Sequence, residues 1–138
     1  MLYPSPVSRT AMSFVAQVEV RFRDHDSFGH VNNAVYATYC EQARVRFFEE
    51  VMDTPLSDAN FVVAHLELDY RAPIEGVGTV EVEVEAGEPG GTSFPLTYTL
   101  SYEGEVVATG ETVQVALDDE GRPTRVPDQW REAIADQP

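Results

Sequence analysis

The strongest constraint on the fold is the spacing of apolar residues along the chain. They recur at every second position in most segments, but at every third or fourth position in one segment. In FVAQVEVRFR, apolar and polar residues alternate from Val18 through Phe22, a pattern that predicts a half-buried strand. Between Val35 and Val51 the apolar residues recur at steps of three and four, which predicts a helix. Four later segments predict further strands: FVVAHLELDYRA, TVEVEVEAG, SFPLTYTLSY and EVVATGETVQVAL.

The helical segment is expected to be long and mostly buried. Its apolar stripe consists of Tyr36, Tyr39, Cys40, Ala43, Phe47 and Val51. The opposite side is expected to carry most of the charged residues, Glu41, Arg44, Glu49 and Glu50. Asn32 or Asn33 is placed to cap the first turn, and DTPLSDAN ends the helix with a proline and small polar residues.

The later strands are joined by GVG, GEPGG and EG, which are too short for the crossovers that parallel strands require. We therefore expect an antiparallel sheet wrapped around the helix, an α+β domain. One face of the second strand should carry Val62, Ala64, Leu66, Leu68 and Tyr70. In TVEVEVEAG the valines should point inward, and the exposed face should carry Glu81, Glu83 and Glu85. The segment PDQWREAIAD predicts a short final helix.

The size and the termini indicate one domain. A chain of 138 residues forms a single core. We expect residues 1–13, with two prolines and no periodicity, to be a loose tail with Met12 as an alternative start, and residues 14–138 to be the domain. No segment reaches the roughly 18 apolar residues of a membrane span, and no signal peptide is recognisable. With Cys40 as the single cysteine, we expect a cytoplasmic protein without a membrane partner.

The charge balance excludes some partners. The chain has 24 acidic and nine basic residues, a net charge of −15, and all nine basic residues are arginine. Such a surface repels nucleic acid and anionic membranes. One explanation is adaptation to a saline cytoplasm, because about 1 M salt shortens the screening length to about 3 Å. The other is a GC-rich genome with ordinary solubilising charge.

Polar side chains are concentrated in DHDSFGHVNNAVY, residues 24–36, which contains two aspartates, two histidines and two asparagines. This segment lies between the first predicted strand and the helix, a kind of junction where functional residues are common. The start of the helix near Asn33 to Val35 offers unpaired backbone N–H groups and the positive end of the helix dipole. Gly29 either permits a close approach that a side chain would block or forms a simple turn.

Three stretches of the chain resemble a known family: RFRDHDSFGHVNNAVYATYCEQARVRFF, FVVAHLELDYRAP and GETVQVALDDEGRPTRVPDQW. From about Phe14 to Trp130 the chain resembles the hot dog fold acyl-CoA thioesterases of the 4-hydroxybenzoyl-CoA thioesterase type. The most specific part is the D-x-D-x-x-G-H-V-N-N-x-x-Y segment that leads into the helix. The resemblance implies a hot dog fold, with a five-stranded antiparallel sheet around a long central helix. It also implies hydrolysis of an acyl-CoA substrate without a cofactor or metal.

The resemblance also implies roles for individual residues. Asp26 matches the catalytic aspartate, a nucleophile or general base, and an aspartate with an ordinary pKa near 3.9 is ionised at pH 7; alternatively it ties the loop or caps the helix. His30 and Asn33 match residues that line the site and orient water or the carbonyl, although each could instead only tie the loop. The helix start suits a developing oxyanion. Asp24 is expected to anchor the turn.

Other residues are candidates for a catalytic carboxylate, a metal site and a CoA-binding site. Glu41 is the rival carboxylate, because related hot dog enzymes place their catalytic acid on the central helix; it could instead be solvated or paired with Arg44. His25, Asp26 and His30 also suit a metal ion, but no third histidine is near in sequence. Arg71, together with Arg122 or Arg125, is a candidate to meet CoA phosphates, or is simply solvated. The residues expected to contact substrate are Gly29, Val35, Tyr36, Val63 and Arg71.

The resemblance implies a homodimer or homotetramer, because a five-stranded sheet leaves open edges that two-fold pairing can cover. The active sites would then lie at the subunit interface, with the Asp26 loop of one chain facing residues 61–72 of the other. Two rival functions remain. One is an acyl-carrier-protein thioesterase, which the acidic surface argues against because that carrier is usually acidic. The other is a non-catalytic domain that binds an acyl ligand, which the intact Asp26 argues against.

Overall fold

The computed structural model describes residues 14–137. Its elements are β1 (Phe14–Val20), α1 (Val35–Glu50), β2 (Phe61–Tyr70), β3 (Gly78–Ala86), β4 (Ser93–Tyr102), β5 (Glu105–Ala116) and α2 (Asp128–Ala135). Short 3-10 turns at Phe22–Asp24 and Leu56–Asp58 lie in the connections. The expected tail, residues 1–13, and the alternative start at Met12 lie outside the described residues.

The strands form one antiparallel sheet in the order β1-β3-β4-β5-β2. The prediction of an α+β hot dog fold with a five-stranded sheet and a central helix is confirmed. The valines of β3 are buried as expected, whereas on its other face Glu85 is exposed and Glu81 and Glu83 are half-buried. No helix within residues 14–137 is long and apolar enough to cross a membrane.

Helix α1 buries the predicted stripe from Tyr36 to Phe47 against the sheet, and Val51 lies just after its end. The expectation that Arg44 lies on the solvent side is wrong, since only 9% of this residue is exposed. Arg44 lies one turn after the buried Cys40, so its side chain leaves the helix at the edge of the apolar stripe. At the other end of the core, Trp130 of α2 packs edge-on against Phe48, with ring centroids 5.1 Å apart.

The start of α1 is built by Asn32, although its N-cap residue is Ala34. The Ala34 N–H donates to the Asn32 side-chain oxygen at 2.9 Å. The Val35 N–H donates to the Asn32 carbonyl oxygen, also at 2.9 Å. Asn32 therefore closes a tight turn before the helix, and Asn33 does not cap it.

A bulge divides β2 and changes which residues share a face. The register with β5 shifts directly after Val63. Before the shift, Val62 lies opposite the half-buried Val115, and after it Leu66 lies opposite the buried Thr112. Because directly opposite residues share a face, Leu66 faces the helix and Val62 faces away from it. The predicted single face of Val62 through Tyr70 is therefore wrong for Val62, because strict alternation does not account for a bulge.

Candidate active site

The polar loop begins where Asp24 reverses the chain after β1. The Arg21 N–H donates to Asp24 Oδ2 at 2.9 Å, and its guanidinium donates to Oδ1 at 3.1 and 3.2 Å. Because these bonds form a 3-10 turn, the strand ends at Val20 and Phe22 is 87% exposed. The predicted alternation through Phe22 is therefore wrong.

Asp24 also ties the loop to α1, because the Tyr39 hydroxyl donates to its Oδ2 at 2.8 Å. Burial raises the pKa of Asp24, but the hydrogen bonds from the Arg21 backbone, Tyr39 and the Arg21 guanidinium outweigh burial and hold it below the ordinary value. Burial and the same carboxylate raise the pKa of Tyr39, so the phenol stays a donor. This geometry gives Asp24 the expected anchoring role.

Asp26 lies at the tip of a short antiparallel ladder of backbone hydrogen bonds between residues 24–26 and 30–32. The Asp26 N–H donates to the His30 carbonyl at 2.9 Å, and the Asn32 N–H donates to the Asp24 carbonyl at 2.9 Å. Oδ1 of Asp26 accepts the Phe28 N–H at 2.8 Å. Within residues 14–137, no hydrogen bond reaches its Oδ2, and the side chain is 23% exposed. The carboxylate is thus fixed through one oxygen and can offer the other to water or substrate.

Gly29 and the histidines shape the same tip. Gly29 has φ +86°, which explains the glycine by its turn, while a close approach of substrate there stays a prediction. His30 Nδ1 lies 3.9 Å from Asp26 Oδ1, and its ring stacks on Phe28. His25 Nδ1 lies 3.1 Å from the Phe22 carbonyl oxygen, so this nitrogen is the donor. No cluster of three or more His, Cys, Asp or Glu side chains suited to a metal ion occurs within residues 14–137.

Of the three expected backbone donors, Asn33, Ala34 and Val35, only the Asn33 N–H has no acceptor among the described residues. Asn32 already accepts hydrogen bonds from the N–H groups of Ala34 and Val35. These two N–H groups, which were expected from the sequence to be unpaired, are therefore not available to a substrate. For the Asn33 N–H, residues 14–137 provide no acceptor. The peptide oxygen of Asn33 accepts the Tyr70 hydroxyl at 2.8 Å. The end of β2 therefore holds Asn33, the residue with the unpaired backbone N–H.

Sequence reasoning missed this role of Tyr70, which it placed only on a strand face. The Tyr70 ring packs edge-on against Tyr36 with centroids 5.0 Å apart, and the Tyr36 hydroxyl lies 3.5 Å from the Ala72 carbonyl. Burial raises the pKa of both phenols. The only signal in the sequence was an aromatic residue at the end of a predicted strand.

The remaining predicted residues lie at different distances from the loop. Val35 and Tyr36 begin α1 beside it. Glu41 is exposed and lies eight residues after Asn33, about 12 Å along the helix axis. Val63 is 39% exposed, faces the helix opposite Gln114, and lies about 23 Å before Tyr70 along the strand.

The candidate arginines pair with nearby acids. The guanidinium nitrogens of Arg71, Arg122 and Arg125 lie 3.6, 3.3 and 3.5 Å from carboxylates of Asp69, Glu120 and Asp128. One chain thus assembles Asp26, His30, Asn33 and Tyr36, but not Glu41 or Val63.

The chain that carries this loop belongs to a known superfamily of enzymes. Residues 20–134 match the model of the thioesterase-like superfamily, and the chain belongs to that superfamily. The protein is accordingly a thioester hydrolase.

The chain is similar to thioesterases from three different organisms. A thioesterase from Thermus thermophilus, crystallised in complex with coenzyme A and Zn, is 40% identical with a TM-score of 0.81, over 89% of this chain and 91% of that chain. The 1,4-dihydroxy-2-naphthoyl-CoA hydrolase of Synechococcus elongatus is 29% identical over 128 residues, 85% of this chain and 93% of the relative. A chloroplastic acyl-acyl carrier protein thioesterase of Arabidopsis thaliana is 29% identical over 131 residues, 87% of this chain and 67% of the relative.

Proposed function

We propose that the protein hydrolyses acyl-CoA thioesters to a free carboxylic acid and CoA, with Asp26 as the general base or nucleophile. The observation that carries this proposal is that one loop leaves a carboxylate oxygen, Asp26 Oδ2, and a backbone donor, the Asn33 N–H, without hydrogen-bond partners within residues 14–137. Both groups lie at the junction between β1 and α1. Residues 14–137 contain no group of three or more His, Cys, Asp or Glu side chains that could hold a metal ion such as the zinc of the Thermus relative, and the steps below are derived from this chain's own residues.

In the proposed reaction, the thioester carbonyl oxygen accepts the Asn33 N–H at the positive end of α1. As a base, Asp26 takes a proton from water while the water oxygen attacks the carbonyl carbon. The C–S bond then breaks, and the proton passes to the CoA thiolate. As a nucleophile, Asp26 instead attacks the carbonyl carbon, and the C–S bond breaks to release the CoA thiolate and leave a mixed anhydride. Water then hydrolyses the anhydride to the free acid and the Asp26 carboxylate, and the proton released from water passes to the thiolate. His30, at 3.9 Å from Asp26, can orient the water in either route.

The first rival function differs from the proposed one in the carrier of the acyl group, which would be acyl carrier protein instead of CoA. The Arabidopsis relative is named for acyl-acyl carrier protein, which keeps that substrate class as the second candidate. The net charge of −15 argues against the carrier protein, because an acidic carrier would be repelled over its whole docking surface. A cytoplasmic location stays a prediction, as does contact of CoA phosphates with Arg71.

We also propose a homodimer, alone or within a homotetramer. The edge strand β2 exposes Val62 (47%), Val63 (39%) and Leu66 (46%), an apolar edge that a second copy would cover. The long separation of Val63 from the loop within one chain supports a site shared between copies. In that arrangement the Asp26 loop of one chain faces residues 61–72 of the other, so Val63 of the second copy can contact the acyl group.

A hydrolysis screen tests the proposal. Purified protein is given acyl-CoAs of increasing chain length, aryl-CoAs and an acyl-carrier-protein thioester, in low and high salt, and the released thiol is measured. We expect turnover with at least one acyl-CoA and a strong decrease in Asp26→Asn. Turnover of the carrier-protein thioester alone would favour the second candidate, and binding without turnover of any substrate would favour a non-catalytic domain.

A further inference from the structure

Arg44 is a buried charge without a carboxylate partner among the described residues 14–137. Its Nη1 donates to the Tyr98 hydroxyl at 3.2 Å, and only 9% of the residue is exposed. Among residues 14–137, no carboxylate lies within 4.0 Å of this guanidinium. Residues 1–13 contain no aspartate or glutamate at all. Because buried charges are normally paired, the counter-charge is expected from outside the chain.

The groups around Arg44 are neutral and do not replace that charge. The Tyr98 hydroxyl bonds to Thr112, which bonds to Gln114, which donates to the Phe94 carbonyl. Burial raises the pKa of Tyr98 more than the Arg44 charge lowers it. Burial likewise raises the pKa of the Cys40 thiol to about 12. This network orients the guanidinium but leaves its positive charge uncompensated.

The position of Arg44 is level with the uncovered middle of the β2 edge. Helix α1 and strand β2 run in opposite directions, since the Tyr36 ring lies 5.0 Å from Tyr70 and the Phe48 ring lies 4.7 Å from Phe61. Halfway between these contacts, residue 42 of the helix is level with residues 65 and 66 of the strand. A two-fold axis through the middle of this edge would therefore place the middles of both α1 helices opposite each other.

Glu41 is the acidic residue that this symmetry brings to Arg44. It is exposed, lies three positions before Arg44 and therefore projects on the same flank of α1. The two residues stand on either side of residue 42, so the axis would bring Glu41 of each copy toward Arg44 of the other. We propose that these residues form a reciprocal pair of ion pairs across the dimer axis. This inference rests on the proposed homodimer and gives Glu41 a role in assembly.

Sedimentation equilibrium at fixed salt tests the pair without reference to activity. Glu41→Gln removes two carboxylates per dimer, and we expect the dimer Kd to rise about 100-fold or more. Arg44→Met should raise it similarly, and the double variant should be no weaker than either single one, since both remove the same interaction. Glu49→Gln removes an equal charge at another exposed position of α1 and should change the Kd less than about threefold.

Several outcomes would contradict the proposed ion pair between Glu41 and Arg44. If the Glu41→Gln Kd equals that of wild type, the pair is absent, and this arm holds even if Arg44→Met fails to fold. Additive effects of the two substitutions would mean that they act independently. If Arg44→Met selectively loses turnover of dicarboxylyl-CoA substrates at an unchanged Kd, the counter-charge is an anionic acyl group. If the protein is a dimer that hydrolyses acyl-CoA and Glu41→Gln leaves the dimer Kd unchanged, this inference alone is refuted. If the protein is a dimer that hydrolyses no acyl-CoA, the proposed function alone is refuted.

Discussion

Replacing Asp24 with asparagine should destabilise the fold and disorder the polar loop of residues 24–36. Asp24 Oδ2 accepts the Arg21 N–H and the Tyr39 hydroxyl, while Oδ1 accepts the guanidinium. An asparagine has one acceptor oxygen, so at least one of these donor sets would face an amide NH₂. Hydrogen bonds to charged groups contribute about 1.5–3 kcal/mol each, so we expect a loss of about 2–4 kcal/mol. For a chain of this size that lowers Tm by about 6–12 °C.

Thermal melts followed by circular dichroism measure this effect, with the exposed Asp119→Asn as the matched control. The pKa of Asp24 lies below its ordinary value of 3.8, so its contribution is complete above that value and is lost as pH falls through the lower folded pKa. The difference in Tm between wild type and Asp24→Asn should therefore be full at pH 7 and shrink below about pH 4. A difference under about 2 °C at pH 7 would refute the anchoring role.

Three further predictions concern salt, the loop and the core. Glu67 lies directly opposite Glu111 on β5, and like charges in that position destabilise a sheet, so Tm should rise steeply from dilute buffer to molar KCl; a flat or falling Tm would contradict the saline explanation of the charge. Tyr70→Phe removes the hydroxyl on the Asn33 carbonyl but keeps the ring, so steady-state kinetics should show kcat lowered about 10-fold with KM nearly constant, and an equal rise in KM would contradict a role in orienting the oxyanion donor. Cys40 is buried, and burial raises its pKa to about 12, so a thiol reagent at pH 8 should label it only after unfolding; rapid labelling of the native protein would contradict its place in the core.

Elements with an unbroken period were predictable from sequence alone. The stripe from Tyr36 to Phe47 located α1 within a residue or two, since burying that face satisfies both the helix and the sheet. The bulge after Val63 was not predictable, because a single inserted residue leaves local composition unchanged while moving Val62 to the other face. The buried position of Arg44 was missed for a related reason, since a charged residue at the edge of a stripe is normally solvated.

The candidate site was predictable in part. The concentration of polar residues at a strand–helix junction selected the loop, the resemblance gave Asp26 the reactive role, and its neighbour Asp24 was expected to anchor the turn. The donor set at the helix start narrowed to Asn33 only because Asn32 uses its side chain and its carbonyl on the next two N–H groups. The contact of Tyr70 with Asn33 joins residues 37 positions apart, and a pattern read along the chain contains no information about it.

The most direct test of the account is the kcat of Asp26→Asn against that of Glu41→Gln, measured with the best acyl-CoA substrate at protein concentrations that keep each variant dimeric. Asparagine keeps the shape of Asp26 and its acceptor for Phe28, but it cannot take a proton or attack the carbonyl. We expect Asp26→Asn to lower kcat about 100-fold or more with the Tm and substrate binding retained, and Glu41→Gln to lower it far less. Near wild-type kcat in Asp26→Asn together with abolished turnover in Glu41→Gln would place the base on the helix and contradict the account.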